Sequence, residues 1–302
     1  MSESGYPNAV ALEAQGITLD QQAPSDVTRL TRTVNGYDLA INIIEARGAH
    51  RGTALLMPGY TSSLETFNML LGPLADRGYT VVAYSHRGQP YSEGPDEYSG
   101  YTLEQFAADA HGVADALDLG ENVHLLGHSF GGVVAVDAVL QNPHRFASLT
   151  MWNSGPSMIG SSLQTWRDGF DQLGPRFYWI ADCQEKGIDP AIDQGEMTPV
   201  LAYYHRRLFS TNPAQLDAGI DILINQVDRV GEIAATGIPV LVSHGANDDA
   251  WPHNEQQRMA RETHGEYWVL AGAGHSAQAD RSWASAQLLA TFWDDHNAEA
   301  AH

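Results

Sequence analysis

The chain has 302 residues, 43% of them hydrophobic and 18% charged, which allows one large domain or two modest ones with a substantial core and argues against disorder. A formal net charge of −21 would repel phosphate backbones and anionic lipid, so neither nucleic acid nor membrane is expected as a partner. Cys183 is the single cysteine, which excludes an internal disulfide and fits a reducing compartment. No apolar run reaches membrane-spanning length, and Met1 to Gly16 lacks the basic region and apolar core of a signal peptide. A cytoplasmic protein is expected, and the sequence is compatible with a homo-oligomer.

Met1 to about Asp26 shows no clear periodicity and holds Gly5, Pro7, Gly16 and Pro24, which predicts a loosely attached arm with room for a short strand or helix. From Val27 to Val34 and Tyr37 to Glu45 the pattern reads as two strands joined by an Asn35-Gly36 turn. Ala54 to Met57 is a short apolar strand of the buried type, ending in Pro58-Gly59-Tyr60-Thr61-Ser62-Ser63. A helix pattern covers Leu64 to about Arg77, then Tyr79 to Tyr84 forms another buried strand before Ser85-His86-Arg87-Gly88-Gln89. Thr102, with Gln105 three residues on, is a capping box for a helix whose stripe includes Phe106, Ala110, Val113 and Leu117. Strands follow at Asn122 to Leu126 and Phe146 to Trp152, with a helix between them that stops at Asn142-Pro143.

This alternation predicts an α/β fold: a mostly parallel central sheet of about eight strands with helices on both faces. It lapses between Gly155 and Gly237, where only helix signals occur, including Thr198-Pro199 and Asn212-Pro213 as cap plus first-turn proline. That stretch is read as a helical cap insertion over the sheet's active edge. The sheet pattern resumes at Ile238 to Ser243 and Tyr267 to Leu270 and closes with a helix from about Asp280 to Asp294. The expected organisation is an arm, 1–26, a core domain, 27–154 and 238–302, and a cap, 155–237.

Chemistry gathers beyond the carboxyl ends of strands in such sheets, and three motifs fall there. Gly127-His128-Ser129-Phe130-Gly131 lies between two apolar runs, the sequence form of a sharp strand-to-helix turn that exposes a serine hydroxyl. His275, in Gly272-Ala273-Gly274-His275-Ser276, is the candidate base that an ordinary hydroxyl needs. Asp248, in Gly245-Ala246-Asn247-Asp248-Asp249-Ala250-Trp251-Pro252, is the candidate that orients the imidazole.

With these residues in order, the sequence resembles the α/β-hydrolase superfamily, specifically its capped, esterase-like or lipase-like members, over roughly Val27 to Asp294. The resemblance implies Ser129 as nucleophile, His275 as base and Asp248 as acid, the last because it stands three residues after Gly245 and four before Pro252. Members with the acid after the preceding strand would carry it at Asn153, which favours Asp248 again. The implied oxyanion donors are the backbone N–H groups of Phe130 and Tyr60, although Pro58-Gly59 replaces the family's His-Gly pair.

The expectation is a cofactor-independent serine hydrolase acting on a small, partly apolar ester or lactone. Epoxide hydrolases and haloalkane dehalogenases are disfavoured because they carry an aspartate where Ser129 stands. Carbon–carbon bond hydrolases, thioesterases, perhydrolases and lyases keep the serine and stay open, and a non-turnover receptor is the remaining alternative. Trp166, Phe170, Tyr203 and Tyr204 are candidates for lining a substrate pocket, with packing between cap helices the competing reading. His86, His124, His128 and His244 are read as structural, no histidine spacing suggests a metal site, and Cys183 is read as an inert thiol.

Overall fold

Alternating burial along the central strands sets the architecture. In β3 (Gly52–Met57), Leu55 and Met57 turn to one core while Ala54 and Leu56 turn to another, and all four are fully buried. A strand buried on both faces needs helices on both sides. The computed structural model describes residues 9–157 and 162–297. Residues 1–8 of the expected arm, 158–161 of the expected cap and 298–302 of the expected core lie outside the described residues.

Eight strands form one sheet in the order β1-β2-β4-β3-β5-β6-β7-β8. β1 (Thr28–Val34) and β2 (Tyr37–Ile44) make an antiparallel hairpin through Asn35 and Gly36, whose φ angles of 50° and 89° suit the tight turn. β2 also runs antiparallel to β4 (Tyr79–Tyr84). From there β3, β5 (Val123–His128), β6 (Phe146–Trp152), β7 (Val240–Gly245) and β8 (Glu266–Leu270) are parallel, so their carboxyl ends share one edge.

On one face pack α3 (Leu103–Ala116), α4 (Phe130–Gln141), α9 (Val230–Thr236) and α10 (His253–Glu262). The start of α3 is the expected capping box: Thr102 Oγ1 accepts from the Gln105 N–H at 3.2 Å, and Gln105 Oε1 from the Thr102 N–H at 2.9 Å. The other face carries α2 (Asn68–Ala75), α11 (Ala277–Asp280) and α12 (Ser282–Asp295). Between β6 and α9 lie α5 (Ser162–Leu173), α6 (Arg176–Glu185), α7 (Pro199–Phe209) and α8 (Pro213–Ile224). α9 packs against α4 and α10, so sheet-covering structure returns before Gly237, where the insertion was expected to end.

The N-terminal arm departs from expectation. Its described part is docked, not loose: α1 (Ala9–Glu13) and a helical turn at Leu19–Gln22 bury Ala9, Leu12 and Leu19 against Met69, Tyr203 and Ala279. Polar contacts reinforce this, with Glu13 accepting from the Tyr204 hydroxyl and Asp20 paired to Arg206 at 3.0 Å. The apolar residues that anchor the arm are too few and irregular to show a period, so only their distant partners reveal it. Leu12→Asp is expected to release the arm, and cleavage after Glu13 by a glutamate-specific protease should then become rapid in the variant while the wild type resists.

Candidate functional site

The site begins with a backbone that no larger residue tolerates. A Cβ on Gly127 would lie 2.2 Å from the Gly131 carbonyl oxygen, and one on Gly131 would lie 2.3 Å from that of Met57. This contact seats α4 directly against the ends of β5 and β3. Ser129, between β5 and α4, is forced to φ 56° and ψ −121°, a costly conformation for a residue with a side chain. Its N–H donates to the Trp152 carbonyl at 2.9 Å and its carbonyl accepts from the Gly132 N–H at 2.8 Å, so both neighbouring elements hold the turn. The N–H groups opening α4 have no carbonyl of their own helix to reach and carry its positive dipole end, and Phe130 is the first of them.

Two loops from β7 and β8 bring the other candidates to the hydroxyl. His275 Nε2 lies 3.0 Å from Ser129 Oγ, and His275 Nδ1 lies 2.8 Å from Asp248 Oδ1. With the Nδ1–H donated to the carboxylate, Nε2 is free to accept the serine proton. A Cβ on Gly245 would come 2.3 Å from the Gly274 carbonyl oxygen, so this crossing of loops also depends on a glycine. Asp248 is 2% exposed. Burial alone would raise its carboxyl, but hydrogen bonds from His275, from Asn153 Nδ2 at 2.8 Å and from the Ala250 N–H at 3.1 Å hold it down at about 2. The carboxylate is therefore charged across the neutral range.

The Tyr60 segment follows β3. Gly59 passes so close to Ser129 that a Cβ there would stand 3.2 Å from the Ser129 Cβ. Pro58 offers no polar side chain to brace this loop, and residues after β4 do so instead. His86 Nε2 donates to the Pro58 carbonyl at 3.2 Å, and Gln89 Nε2 donates to the Gly59 and Tyr60 carbonyls at 2.7 and 3.2 Å. The β4 loop is itself fixed by the fully enclosed Arg87–Asp109 pair, two bonds of 2.6 Å. Above the sheet, the Tyr60 hydroxyl donates to the Leu216 carbonyl of α8 and accepts from Tyr178 of α6 at 3.0 Å.

A cavity of about 760 Å³ opens over Ser129 and His275. Trp166 and Tyr204 line it, together with Leu163, Leu223 and Trp251, and so do Ala9, Glu13 and Leu19 of the arm. Two pocket candidates do not reach it. Phe170 is buried against Tyr178, with Arg167 over its ring, and Tyr203 is 2% exposed, turned towards the arm's apolar cluster. Both lie on the inner sides of their helices, where spacing alone could not distinguish core from pocket. The arm, Asn153 and Gln89 are the contributions that sequence reasoning missed; only the position of Asn153, after β6, carried a signal.

The histidines His124, His244 and His128 are held in structural contacts. His124 joins Ser148 and Asn297, at 2.8 and 2.9 Å, and His244 joins the Gly245 carbonyl and Tyr267, at 2.8 and 2.7 Å. His128 Nε2 donates to the His275 carbonyl at 2.8 Å, steadying that backbone. Cys183 is fully buried and burial pushes its thiol up, which keeps it protonated. Among the described residues no group of three or more His, Cys, Asp or Glu could hold a metal ion, and no helix is long and apolar enough to cross a membrane.

The family model described as serine aminopeptidase, S33, matches residues 48–282. A 2-hydroxy-6-oxononadienedioate/2-hydroxy-6-oxononatrienedioate hydrolase from Paraburkholderia xenovorans is 37% identical over 253 residues, covering 78% of this chain and 83% of the relative. Epoxide hydrolase A from Mycobacterium tuberculosis is 27% identical over 219 residues, covering 70% of this chain and 65% of the relative. Among solved structures, the enol-lactonase from Burkholderia xenovorans LB400 superposes with a TM-score of 0.72 at 21% identity, covering 87% of this chain and 99% of that one. The last likeness is one of fold, the α/β-hydrolase fold.

Three enclosed imidazoles make folding sensitive to acid. Burial pushes His86 and His128 down to about 3 and His124 to about 4, from an ordinary 6.5. Below pH 6.5 the unfolded chain binds protons that the folded chain refuses, so stability falls as pH drops, by about 1.4 kcal/mol per pH unit for each histidine. Urea midpoints measured between pH 7 and 5 should fall steadily, and His128→Asn should flatten that slope by about one proton's worth.

Proposed function

This chain belongs to the family described as serine aminopeptidase, S33, within the α/β-hydrolases, and from that premise we propose that it is a serine hydrolase cleaving a small, partly apolar carboxylic ester or lactone through an acyl-enzyme on Ser129. The word aminopeptidase describes the family model, not this chain. The observation that carries the reading is one imidazole spanning both partners, with Ser129 Oγ at 3.0 Å and Asp248 Oδ1 at 2.8 Å.

In this reading Ser129 Oγ attacks the carbonyl carbon as its proton passes to His275 Nε2. Asp248 holds the ring and stabilises the imidazolium. The carbonyl oxygen, now negative, is received by the N–H groups of Phe130 and Tyr60, which are fixed before the substrate arrives and so cost no reorganisation. The imidazolium returns its proton to the leaving alcohol. A water molecule, deprotonated by the same nitrogen, then attacks the acyl-enzyme and frees Ser129. The cavity's apolar walls of Leu163, Trp166, Leu223 and Trp251 fit a partly apolar acyl or alcohol portion.

A second reading, hydrolysis of a carbon–carbon bond by the same groups, is favoured by one observation, the printed name of the 37%-identical relative. Substrate panels separate the two: esters and lactones turned over support the first, and vinylogous 1,5-diketones alone the second.

A fluorophosphonate probe should add to Ser129, and labelling that persists in Ser129→Ala would contradict the assignment. Asp248→Asn should lower kcat by about 10³- to 10⁴-fold, by removing the charge that orients and stabilises His275. Gln89→Leu, which frees the Gly59 and Tyr60 carbonyls, should lower kcat by about 10- to 100-fold with little change in KM, because the oxyanion exists only after attack.

A further inference from the structure

Among the residues that line the cavity over Ser129, Arg207 is the single Arg or Lys. Three cations of the cap surround the neighbouring rings of Tyr203 and Tyr204. Two of them have carboxylates: Lys186 pairs with Asp182, and Arg206 with Asp20 at 3.0 Å. Arg207 differs. Its guanidinium sits 4.8 Å from the Tyr204 ring centroid and 5.5 Å from that of Tyr203, and no carboxylate among the described residues lies within 4.0 Å of it. It is half-buried, so it is partly stripped of water without the ion pair that normally compensates.

The position is built. Glu13 of the arm accepts from the Tyr204 hydroxyl, which fixes the ring flanking the guanidinium. The acids nearest this wall lie beyond 4.0 Å of the guanidinium, Glu65 acting on it only through space, and each has other contacts or faces water. Glu65 accepts from Tyr91 at 2.8 Å and from Ser63 at 3.3 Å, Asp280 accepts from the Gly274 N–H at 2.9 Å, and Asp249 is exposed. Arg207 also borders a side cavity of about 240 Å³ that shares Thr61, Trp166 and Tyr204 with the main one. The charge therefore stands at a junction between two lobes of accessible space.

We propose that Arg207 is a specificity-determining residue that binds a carboxylate on the substrate, so that the ester, lactone or related acyl compound acted on at Ser129 is anionic. The inference rests on the hydrolase reading for the identity of the reacting bond, but not for the anion site itself. A planar guanidinium grips a carboxylate through two parallel N–H bonds, a geometry no neutral substrate end reproduces. In a chain of net charge −21, the surrounding field disfavours anions, so a dedicated cation is required to hold one. An ammonium group at this wall would be repelled.

The test compares esters that differ only in a terminal carboxylate, such as ethyl hydrogen adipate against ethyl hexanoate, across diacids from four to eight carbons. The wild type should favour the charged member in kcat/KM by at least tenfold at one or more lengths. Arg207→Gln should reduce that ratio by about 10- to 100-fold, mainly through KM, Arg207→Lys should retain part of it, and Arg206→Gln should leave it intact. Equal rates on both members at every length, a ratio that survives Arg207→Gln, or a preference for amino-bearing esters would each overturn the proposal. Titration calorimetry of the free diacids into Ser129→Ala reads the site without turnover. Affinity that falls at least tenfold on adding Arg207→Gln supports it whatever bond is cleaved, and no binding by any diacid overturns it. Failure of the hydrolase reading shows separately, as a Ser129 that no fluorophosphonate labels.

Discussion

The contact between bare backbones at Gly127, Gly131 and Met57 governs the rest of the molecule. It draws the first turn of α4 onto the ends of β5 and β3 and leaves Ser129 no choice but a left-handed backbone. The cost, of order 1–3 kcal/mol for such a residue, is borne because carbonyls and N–H groups on both sides remain bonded. A hydroxyl mounted this way points away from the sheet and beside the positive end of a helix. Everything else at the site is arranged around a point that the backbone has already fixed.

What surrounds that point is a set of loops that hold one another. Asn153 binds both the Asp248 carboxylate and the Gly274 carbonyl, at 2.8 and 3.0 Å, and so locks the two segments that present Asp248 and His275. Gln89 and His86 do the same for the turn after β3, and the enclosed Arg87–Asp109 pair holds the loop from which they reach. None of these groups hydrogen-bonds the Ser129 hydroxyl, whose partner is His275. They matter because a misplacement of about 1 Å at a reacting pair can remove two orders of magnitude in rate.

The fold was legible wherever its determinants lie close together in sequence. Apolar runs such as Ala54 to Met57, the Thr102–Gln105 box and the Asn35-Gly36 turn each declare themselves within a few residues, and the mostly parallel sheet with helices on both faces follows from their alternation. Ser129, Asp248 and His275 stood out because small or glycine neighbours mark each tight turn, and the structure brings their side chains into hydrogen-bond contact. What stayed hidden depends on partners 30 to 191 residues away. Gln89 looks like any loop glutamine until Gly59 is beside it, and Glu13 looks like an arm residue until Tyr204 is. Phe170 and Tyr203 show the converse, since helical spacing marks an inward face without saying what lies inside.

Tyr60 joins two layers through a single residue. Its main chain belongs to the turn beside Ser129, while its hydroxyl is moored to the carbonyl of Leu216 and to Tyr178, and Gly219 leaves room for the ring. An outward swing of α8 would therefore pull on the turn beside Ser129. The helix above the turn is in this sense a keystone and not a shutter: one hydroxyl ties the placement of α8 and α6 to that of the turn beside Ser129.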